Sequence, residues 1–393
     1  MTKWREITIG DIGRVVTGKT PSTKNKQFWD GKFPFITPVD LQKSKNIFHT
    51  ERTVSAEGLD SVKGAVLPPG AVCVSCIGNL GYTAMTTQVS ISNQQINSII
   101  PNTDYDDDFV YYAVKNLWSE FKNLEGQSTT LSILNKTLFS KIQLSIPDLT
   151  TQQRIAKLLS SLDDKIELNT QINQNLEAQA QAIFKSWFVG TANPHWHIGT
   201  IADLGEVVGG STPSKAHSEY YTEHGIAWIT PKDLSVDKSK FISHGEIDIT
   251  QAGLKNSSAK VMPKGTVLFS SRAPIGYIAI AAGDVCTNQG FKSVVPHVHI
   301  ATPYVYFFLK ENLPSIEGVA TGSTFKEVSG SAMKSVPAII PDSDTLSRFT
   351  ELCVPLFETQ EKLEAESRRL AILRDTLLPK LMSGEIDVSE VEV

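Results

Sequence analysis

The segment Ile36-Thr37-Pro38-Val39-Asp40-Leu41 returns later in the chain as Ile229-Thr230-Pro231-Lys232-Asp233-Leu234. Upstream of each copy, Gly18-Lys19-Thr20-Pro21-Ser22 is matched by Gly210-Ser211-Thr212-Pro213-Ser214. Further matches keep the same order along the chain, at offsets of 192 to 195 residues. Ordered matches at a nearly constant offset indicate an internal duplication, so the fold is predicted to contain two copies of one design.

Each copy combines short strands with helices. The β-rich runs at 71–75 and 266–270 follow turns that contain proline and glycine, which is typical of strands. Mixed helices are predicted at about 109–121 and 303–312. Each copy then ends at Ile-Pro-Asp, where the proline resets the backbone before a long helix. The pattern predicts a mixed α+β fold.

Two long helices are predicted, from about Thr151 to Phe188 and from about Thr345 to Met382. The apolar stripe of the first is interrupted in the middle by Asn169 and Asn173. The second repeats leucine in strict sevens, which is typical of a coiled-coil seam, at Leu356, Leu363, Leu370 and Leu377. Pro355 is expected to kink this helix or to delay its start. We predict that the two helices pack on each other; the alternative is that each docks separately on its own domain.

The composition is that of a globular protein. The chain has 393 residues, of which 40% are hydrophobic and 20% charged, so wholesale disorder is excluded. Four cysteines in this length, and no long apolar run, lead us to expect a cytoplasmic protein without disulfides or a membrane span. The net charge of −5 hides a basic patch, because residues 19–52 contain seven basic and three acidic side chains.

The sequence contains no recognisable set of catalytic residues. Neither an Asn/Asp-Pro-Pro-aromatic motif of a DNA methyltransferase nor a phosphate-binding P-loop is present in the sequence. Glu120-Phe121-Lys122 has the spacing of a metal-dependent nuclease motif but lies in a predicted helix. Cys73 and Cys76 are interpreted as buried strand cysteines, and His297 and His299 as surface or packing residues. No catalytic residue and no metal ligand is predicted.

Each copy of the repeat also contains a similar set of polar loops, which lie close in sequence to lysine or arginine residues. Glycine and hydroxyl side chains allow close approach to phosphates, and the Asn93-Gln94 and Asn288-Gln289 amides can bond adenine bidentately. The segments 126–130 and 322–326 form a third polar turn in each copy. Ordinary turns are the alternative interpretation of each loop. The candidate DNA-binding residues are Lys19, Thr20, Ser22, Lys24, Lys26, Lys43, Lys45, Asn93, Gln94, Ser211, Thr212, Ser214, Lys215, Lys232, Arg272, Asn288, Gln289, Ser323, Thr324 and Lys326.

In motif order, duplication and helix placement, the chain resembles the specificity (S) subunit of type I restriction-modification systems. The stretch from Ile146 to Ala156 is similar to the start of that family's central spacer helix. The resemblance implies two target recognition domains, at 1–147 and 191–341, with a central spacer helix at 148–190. A second spacer helix and tail would occupy 342–393. The two helices would pack as an antiparallel coiled coil with pseudo-two-fold symmetry.

The resemblance also implies a division of labour. The chain would be a non-catalytic subunit that recognises a bipartite double-stranded DNA target, with no cofactor of its own. Modification subunits would methylate adenine with S-adenosylmethionine, and restriction subunits would cleave with ATP and Mg²⁺. Two other classes stay open from the residues alone, namely a stand-alone or fused metal-dependent DNA nuclease and a duplicated scaffold that binds only protein.

Overall fold

A computed structural model describes residues 4–126, 132–190, 193, 196–323 and 326–388. The chain divides into two compact units, of which unit 1 comprises Met1–Leu168 with Ser367–Val393 and unit 2 comprises Asn169–Glu366. The boundary between the units falls inside two long helices, so each unit contains a segment of both.

Unit 1 begins with a strand that pairs with the last strand before the first long helix. Its strands are β1 (Arg5–Thr8), β2 (Gly13–Thr17), β3 (Trp29–Ile36), β4 (Asn46–Ile47), β5 (Arg52–Val54), β6 (Val72–Ser75), β7 (Thr83–Thr86), β8 (Ile91–Ser92), β9 (Ile96–Pro101) and β10 (Gln143–Ile146). Its helices are α1 (Ile9–Ile12), α2 (Ala56–Asp60), α3 (Asp107–Asn116), α4 (Trp118–Gly126), α5 (Lys136–Ser140) and the first part of α6 (Leu149–Phe188).

The main sheet of unit 1 has five strands in the order β2-β9-β6-β7-β4, and a second sheet has the order β5-β3-β8. The turn before β6 places Gly70 at a φ of 83°, a conformation that glycine adopts without strain. Helix α3 is buried along its length between this sheet and the long helices, through residues such as Phe109 and Tyr112. The same core includes Leu159 of α6 and Leu381 near the end of the chain.

Unit 2 repeats this order. Its strands are β11 (His197–Thr200), β12 (Gly205–Gly209), β13 (Tyr221–Thr222), β14 (Trp228–Ile229), β15 (Phe241–Ile242), β16 (Asp248–Ile249), β17 (Val267–Ser271), β18 (Ile275–Ala281), β19 (Cys286–Thr287), β20 (Lys292–Pro296) and β21 (Pro337–Ile340). Its helices are α7 (Ile201–Leu204), α8 (Pro231–Val236), α9 (Gln251–Lys255), α10 (Thr302–Glu311), α11 (Leu313–Gly318), α12 (Gly330–Ser335) and α13 (Ser343–Met382), the last of which ends in unit 1.

The main sheet of unit 2 has the order β12-β20-β17-β18-β15, which is position for position the order found in unit 1. Helix α10 occupies the place of α3 and buries Tyr304 and Phe307. These rings pack with Phe184 of α6 and Phe349 of α13. The predicted mixed α+β duplication is confirmed.

Each long helix begins two residues earlier than predicted, because an aspartate caps it. The Asp148 carboxylate accepts a hydrogen bond from the backbone N–H of Thr151 at 3.0 Å, and Asp342 accepts one from Thr345 at 2.9 Å. Both predicted ends are confirmed, at Phe188 and Met382. The expectation that Pro355 delays the start of α13 is wrong, since the helix runs through it. Of the described helices, none combines the length and apolarity that crossing a membrane requires.

Segments of α6 and α13 contact each other within each unit and also dock on that unit's domain. In unit 1, Asp163 of α6 forms an ion pair with Arg374 of α13. In unit 2, Asn169 donates to Glu366 Oε2 at 2.9 Å, and Gln360 donates to the Asn173 carbonyl at 3.0 Å. These pairings run antiparallel. The four heptad leucines of α13 are half-buried, whereas its fully buried side chains include Cys353, Phe357, Gln360, Leu378 and Leu381.

The aromatic cluster around Phe349 predicts a strong dependence of unit 2 on that ring. Phe349 is fully buried, and its ring centroid lies 5.1 Å from that of Phe188. We expect Phe349→Ala to lower the free energy of unfolding by about 3–5 kcal/mol, since a buried ring leaves a cavity. Leu352→Ala is the control, because Leu352 is 49% exposed on the same helix. Urea unfolding measures both, and equal midpoints for the two variants would contradict the assignment of Phe349 to the core.

Candidate nucleic-acid interface

In unit 1, two of the predicted loops lie against each other. The backbone N–H of Gly18 donates to the Ile96 carbonyl at 3.0 Å, which brings the 18–22 loop beside the 93–95 loop. A Cβ at Gly18 would lie 2.1 Å from the Asn93 carbonyl oxygen, so only glycine permits this approach. Across the contact, the Thr20 hydroxyl donates to Gln94 Oε1 at 2.7 Å.

The same contact is present in unit 2. A Cβ at Gly210 would lie 1.9 Å from the Asn288 carbonyl oxygen, and the Thr212 hydroxyl donates to Gln289 Oε1. We call each arrangement a loop pair: residues 18–22 with 93–95 in unit 1, and residues 210–214 with 288–290 in unit 2. The structure thus brings together residues that the sequence places more than 70 positions apart.

The asparagines of the loop pairs shape their own turns. Asn93 Oδ1 accepts from the backbone N–H of Gln95 at 3.1 Å, and Asn288 Oδ1 accepts from that of Gly290 at 2.8 Å. These are Asx turns, in which the side-chain oxygen faces the local backbone. The exposed side chains at the tips are Gln94 and Gln95 in unit 1 and Gln289 in unit 2. The glutamines are therefore better placed than the asparagines to meet a base edge.

Aromatic side chains that the sequence analysis did not single out support both loop pairs. Trp29 Nε1 donates to the Ser22 carbonyl at 3.3 Å, and the Arg52 guanidinium carbon lies 3.8 Å from the Trp29 ring centroid. In unit 2, the Tyr221 hydroxyl donates to the Pro213 carbonyl at 2.6 Å, and Trp228 Nε1 donates to that of Ser211 at 3.0 Å. Their signal in the sequence is that aromatic residues occupy matching positions of the repeat.

The Ile-Thr-Pro segments form a capped turn next to each loop pair. Asp233 Oδ2 accepts from both the backbone N–H and the hydroxyl of Thr230, at 2.7 and 2.6 Å, and Pro231 occupies the first turn of α8. Asp40 makes the same two contacts with Thr37, at 2.9 and 2.8 Å. In unit 1 the Thr–Asp contacts close a short 3-10 turn, and in unit 2 the arrangement is a capping box. It also positions the exposed Lys232, whose pKa is raised by its hydrogen bond to Glu246.

The loop pair of unit 2 borders an open cleft of about 820 Å³. Aromatic rings, amides, hydroxyls, two lysines and three carboxylates line it. Its lining includes the predicted residues Thr212, Lys215, Lys232, Asn288 and Gln289, and in addition Tyr221, Thr222, Glu223, Trp228 and Glu246.

The other candidates occupy several environments. In unit 1, Lys43 forms an ion pair with Asp40 at 2.7 Å, and the exposed side chains on or beside the 18–22 loop are Lys19, Ser22, Lys24 and Lys26. In unit 2, Arg272 lies 3.5 Å from Glu327, and the exposed candidates also include Ser214, Ser323 and Lys326. Ser211 is half-buried beside Trp228. Thr324 and residues 127–130 lie outside the described residues.

Lys45 requires a correction. Its side chain is only 6% exposed and forms an ion pair with Asp108 at 2.5 Å, while its ammonium also donates to Ser160 at 2.7 Å. A buried lysine with these partners is part of the packing of unit 1, so we remove it from the set of DNA-contacting candidates.

The structure also shows the environments of the cysteine and histidine residues that were considered as metal ligands. Cys73 and Cys76 are buried, as predicted, and burial raises the pKa of each to about 12. His297 is exposed and lies 3.1 Å from the Ala202 carbonyl. Across the described residues, no group of three or more histidine, cysteine, aspartate or glutamate side chains is arranged to hold a metal ion.

This duplicated architecture has matches among known proteins. The family model for the type I restriction modification DNA specificity domain matches residues 1–178 and again 193–365. The chain is 28% identical to the type I restriction enzyme MjaIX specificity subunit of Methanocaldococcus jannaschii, over 99% of this chain and 94% of that protein. It is 25% identical to the HindI specificity subunit of Haemophilus influenzae, over 98% and 100%.

A solved structure shows the same fold. The type I restriction-modification S subunit from M. genitalium superimposes with a TM-score of 0.61 at 17% identity, covering 97% of this chain and 96% of that one. The two matches of the family model correspond to the two copies of the duplication. This chain belongs to the family of type I restriction-modification DNA specificity proteins.

Proposed function

We propose that this chain is the DNA-recognition subunit of a type I restriction-modification enzyme and that each unit reads one part of a bipartite target. The observation that carries the proposal is the loop pair, formed in both units by the same glycine approach and the same Thr–Gln hydrogen bond. Each loop pair presents an exposed glutamine, whose amide can donate to and accept from base edges in the major groove.

The two units would contribute differently to affinity. Without the buried Lys45 and Lys240, residues 19–52 contain six basic and three acidic side chains, whereas residues 211–247 of unit 2 contain three basic and five acidic ones. Phosphate contacts by lysine release counterions and dominate salt-dependent affinity. Unit 1 would therefore supply most of this chain's phosphate neutralisation, and unit 2 would depend on hydrogen bonds in its cleft.

The chemistry would belong to partner subunits. Modification subunits would methylate adenine with S-adenosylmethionine, and restriction subunits would cleave with ATP and Mg²⁺, as the family resemblance implies. The chain itself would catalyse neither step. Production of the chain with its modification subunit, followed by sequencing of methylated adenines, tests the proposal. A single bipartite motif is expected, and cleavage of DNA by the purified chain with Mg²⁺ alone would contradict it.

The basic loop of unit 1 is predicted to contribute to DNA affinity in a way that depends on salt but not on the DNA sequence. We expect Lys24→Ala and Lys26→Ala to weaken binding to specific and nonspecific DNA alike, because both side chains are exposed beside the 18–22 loop. Each lost phosphate contact lowers the slope of log K against log salt by about 0.9. Fluorescence anisotropy at several salt concentrations measures the slope. Lys141→Ala, on an exposed lysine after α5, is the control and should retain the wild-type slope.

The glutamines predict a sequence-specific effect confined to one half-site. Gln289→Ala should relax discrimination at the second half-site by about 1–3 kcal/mol, the value of one bidentate base contact. Gln94→Ala should do the same at the first half-site. Each variant controls for the other. Methylome sequencing reads both half-sites at once, and an unchanged motif in both variants would show that the Thr–Gln contacts only stabilise the loops.

The long helices predict the gap between the half-sites. Four residues inserted after Leu168 and four after Glu366 leave the Asp163–Arg374 and Asn173–Gln360 contacts inside their own units. Four helical residues add about 6 Å, close to the rise of two base pairs. The methylated motif should keep both half-site sequences and gain about two base pairs between them. An unaltered gap in a folded, active variant would count against helices that set the spacing.

A further inference from the structure

Two buried lysines occupy the same place in the two units. Lys45 and Lys240 are 6% and 8% exposed at the side chain, which is unusual for lysine. Each directly precedes the edge strand of its main sheet, β4 or β15. Their carbonyls accept from equivalent residues of the neighbouring strand, from Met85 at 2.7 Å and from Ile280 at 2.8 Å.

In unit 2, the ammonium group of Lys240 is enclosed by the two long helices. It donates to Glu177 Oε2 of α6 at 2.7 Å and to Gln360 Oε1 of α13 at 2.8 Å. It also lies 3.1 Å from the ring centroid of Phe357 and 4.5 Å from that of Tyr306. One side chain of the sheet edge therefore contacts both helices through charge-assisted and cation–π interactions.

The helices in turn bind the backbone of that edge. The Glu364 carboxylate of α13 accepts from the backbone N–H of Lys240 at 3.0 Å and from that of Phe241 at 2.9 Å. Glu177 also accepts from Lys310 of α10 at 2.7 Å. Helix α13 thus occupies backbone donors that an edge strand would otherwise leave unpaired.

In unit 1, Lys45 bonds directly to α6, and its ion-pair partner is Asp108 of α3 at 2.5 Å. Its ammonium group donates to Ser160 of α6 at 2.7 Å and lies 4.9 Å from the ring centroid of Tyr112. The Tyr112 hydroxyl donates to Asp163 at 2.6 Å, and Asp163 pairs with Arg374 of α13. The lysine and its contact with the helix segment are repeated, whereas the partner residues are not.

Stability alone does not explain why a lysine occupies the position of Lys240. Burial lowers the pKa of Lys240 to about 8, although Glu177 acts in the opposite direction, so keeping the charge there is costly. Apolar side chains of similar volume often replace a buried ion pair without loss of stability. An apolar side chain in place of Lys240 would not provide directional bonding to both helices, which fixes an angle as well as a distance.

We propose that Lys45 and Lys240 are positioning residues that fix the angle between each main sheet and its helix segments, and thereby the place where each loop pair meets DNA. The inference rests on the proposed function. In unit 2, the loop pair lies at the opposite end of the strands from Lys240 and across the sheet, roughly 20 Å away by strand spacing and rise. A tilt of about 10° over that length moves the loops about 3.5 Å, which is one base-pair step.

The experiment measures the gap between half-sites in the methylome of the complete complex with Lys240→Met or Lys45→Met. Methionine fills the volume of the lysine stem without its charge. The wild-type complex should methylate motifs with a single gap length. In each variant, methylation at gaps one base pair longer and shorter should rise about tenfold relative to the native gap, as expected when a buried charge-assisted bond no longer fixes an angle. Both half-site sequences should stay the same.

Lys264→Met is the matched control. Lys264 forms an ion pair with Glu361 of α13 at 2.6 Å, but the lysine side chain is 61% exposed. Loss of this pair should therefore change neither the gap between half-sites nor the melting temperature. Glu364→Gln is the second variant if Lys240→Met does not fold. Glutamine keeps the shape of the glutamate side chain but is a weaker acceptor for the backbone N–H groups of Lys240 and Phe241. Its gap distribution should broaden as well.

The outcomes separate the two proposals. A wild-type complex without a bipartite motif would overturn the proposed function, and the positioning role with it. An active complex in which both lysine variants, or the folded Glu364→Gln variant, retain a single gap would overturn the positioning role alone. A lower melting temperature with an unchanged gap would assign the lysines to stability only.

Discussion

The core of unit 1 is completed by side chains from the far end of the chain, and the rest of the architecture depends on that constraint. Leu159 of α6 and Leu381 of α13 are fully buried in one cluster with Phe109 of α3. Burial of such side chains contributes about 1.5–3 kcal/mol each, so docking of both helices stabilises the unit. Unit 2 buries side chains of α6 and α13 in its own core in the same way, so both helices contribute to the core of each unit.

Polar contacts then fix the register that apolar packing leaves open. A leucine seam tolerates a shift of one heptad, since leucine meets leucine again. Asn169 is fully buried and bonds Glu366, and Gln360 bonds the backbone of Asn173; a shift would leave these amides unpaired away from water. Asp163 in unit 1 imposes the same condition through Tyr112 and Arg374. The half-buried leucines of α13 supply contact area, and the polar residues specify which contact forms.

Sequence reasoning reached the duplication, the long helices and the residues of both loop pairs, because each leaves a local signal. Lys43 and Lys45 show where it ends. They are two residues apart and identical in type, yet Lys43 is 54% exposed whereas Lys45 is buried against the helices. That difference arises from the tertiary packing of β4 beside α3 and α6, which no local pattern records. Trp29 and Tyr221 occupy matching positions of the repeat, but their hydrogen bonds to loop carbonyls are visible only in the fold.

The loop pairs explain how one backbone design can serve two different half-sites. The glycine approach, the Asx turn and the Thr–Gln bond hold the loop backbone in the same way in both units, and the side chains around it need not match. They do differ: the exposed Gln95 of unit 1 accepts from Asn93 Nδ2 at 3.0 Å, and its counterpart is the buried Gly290. A Cβ at Gly290 would lie 2.9 Å from Asn288 Oδ1 and 3.0 Å from Pro231, so a side chain there requires the α8 turn to move. Unit 1 therefore presents two adjacent amides where unit 2 presents one, and the two loop pairs offer unlike sets of donors and acceptors to DNA.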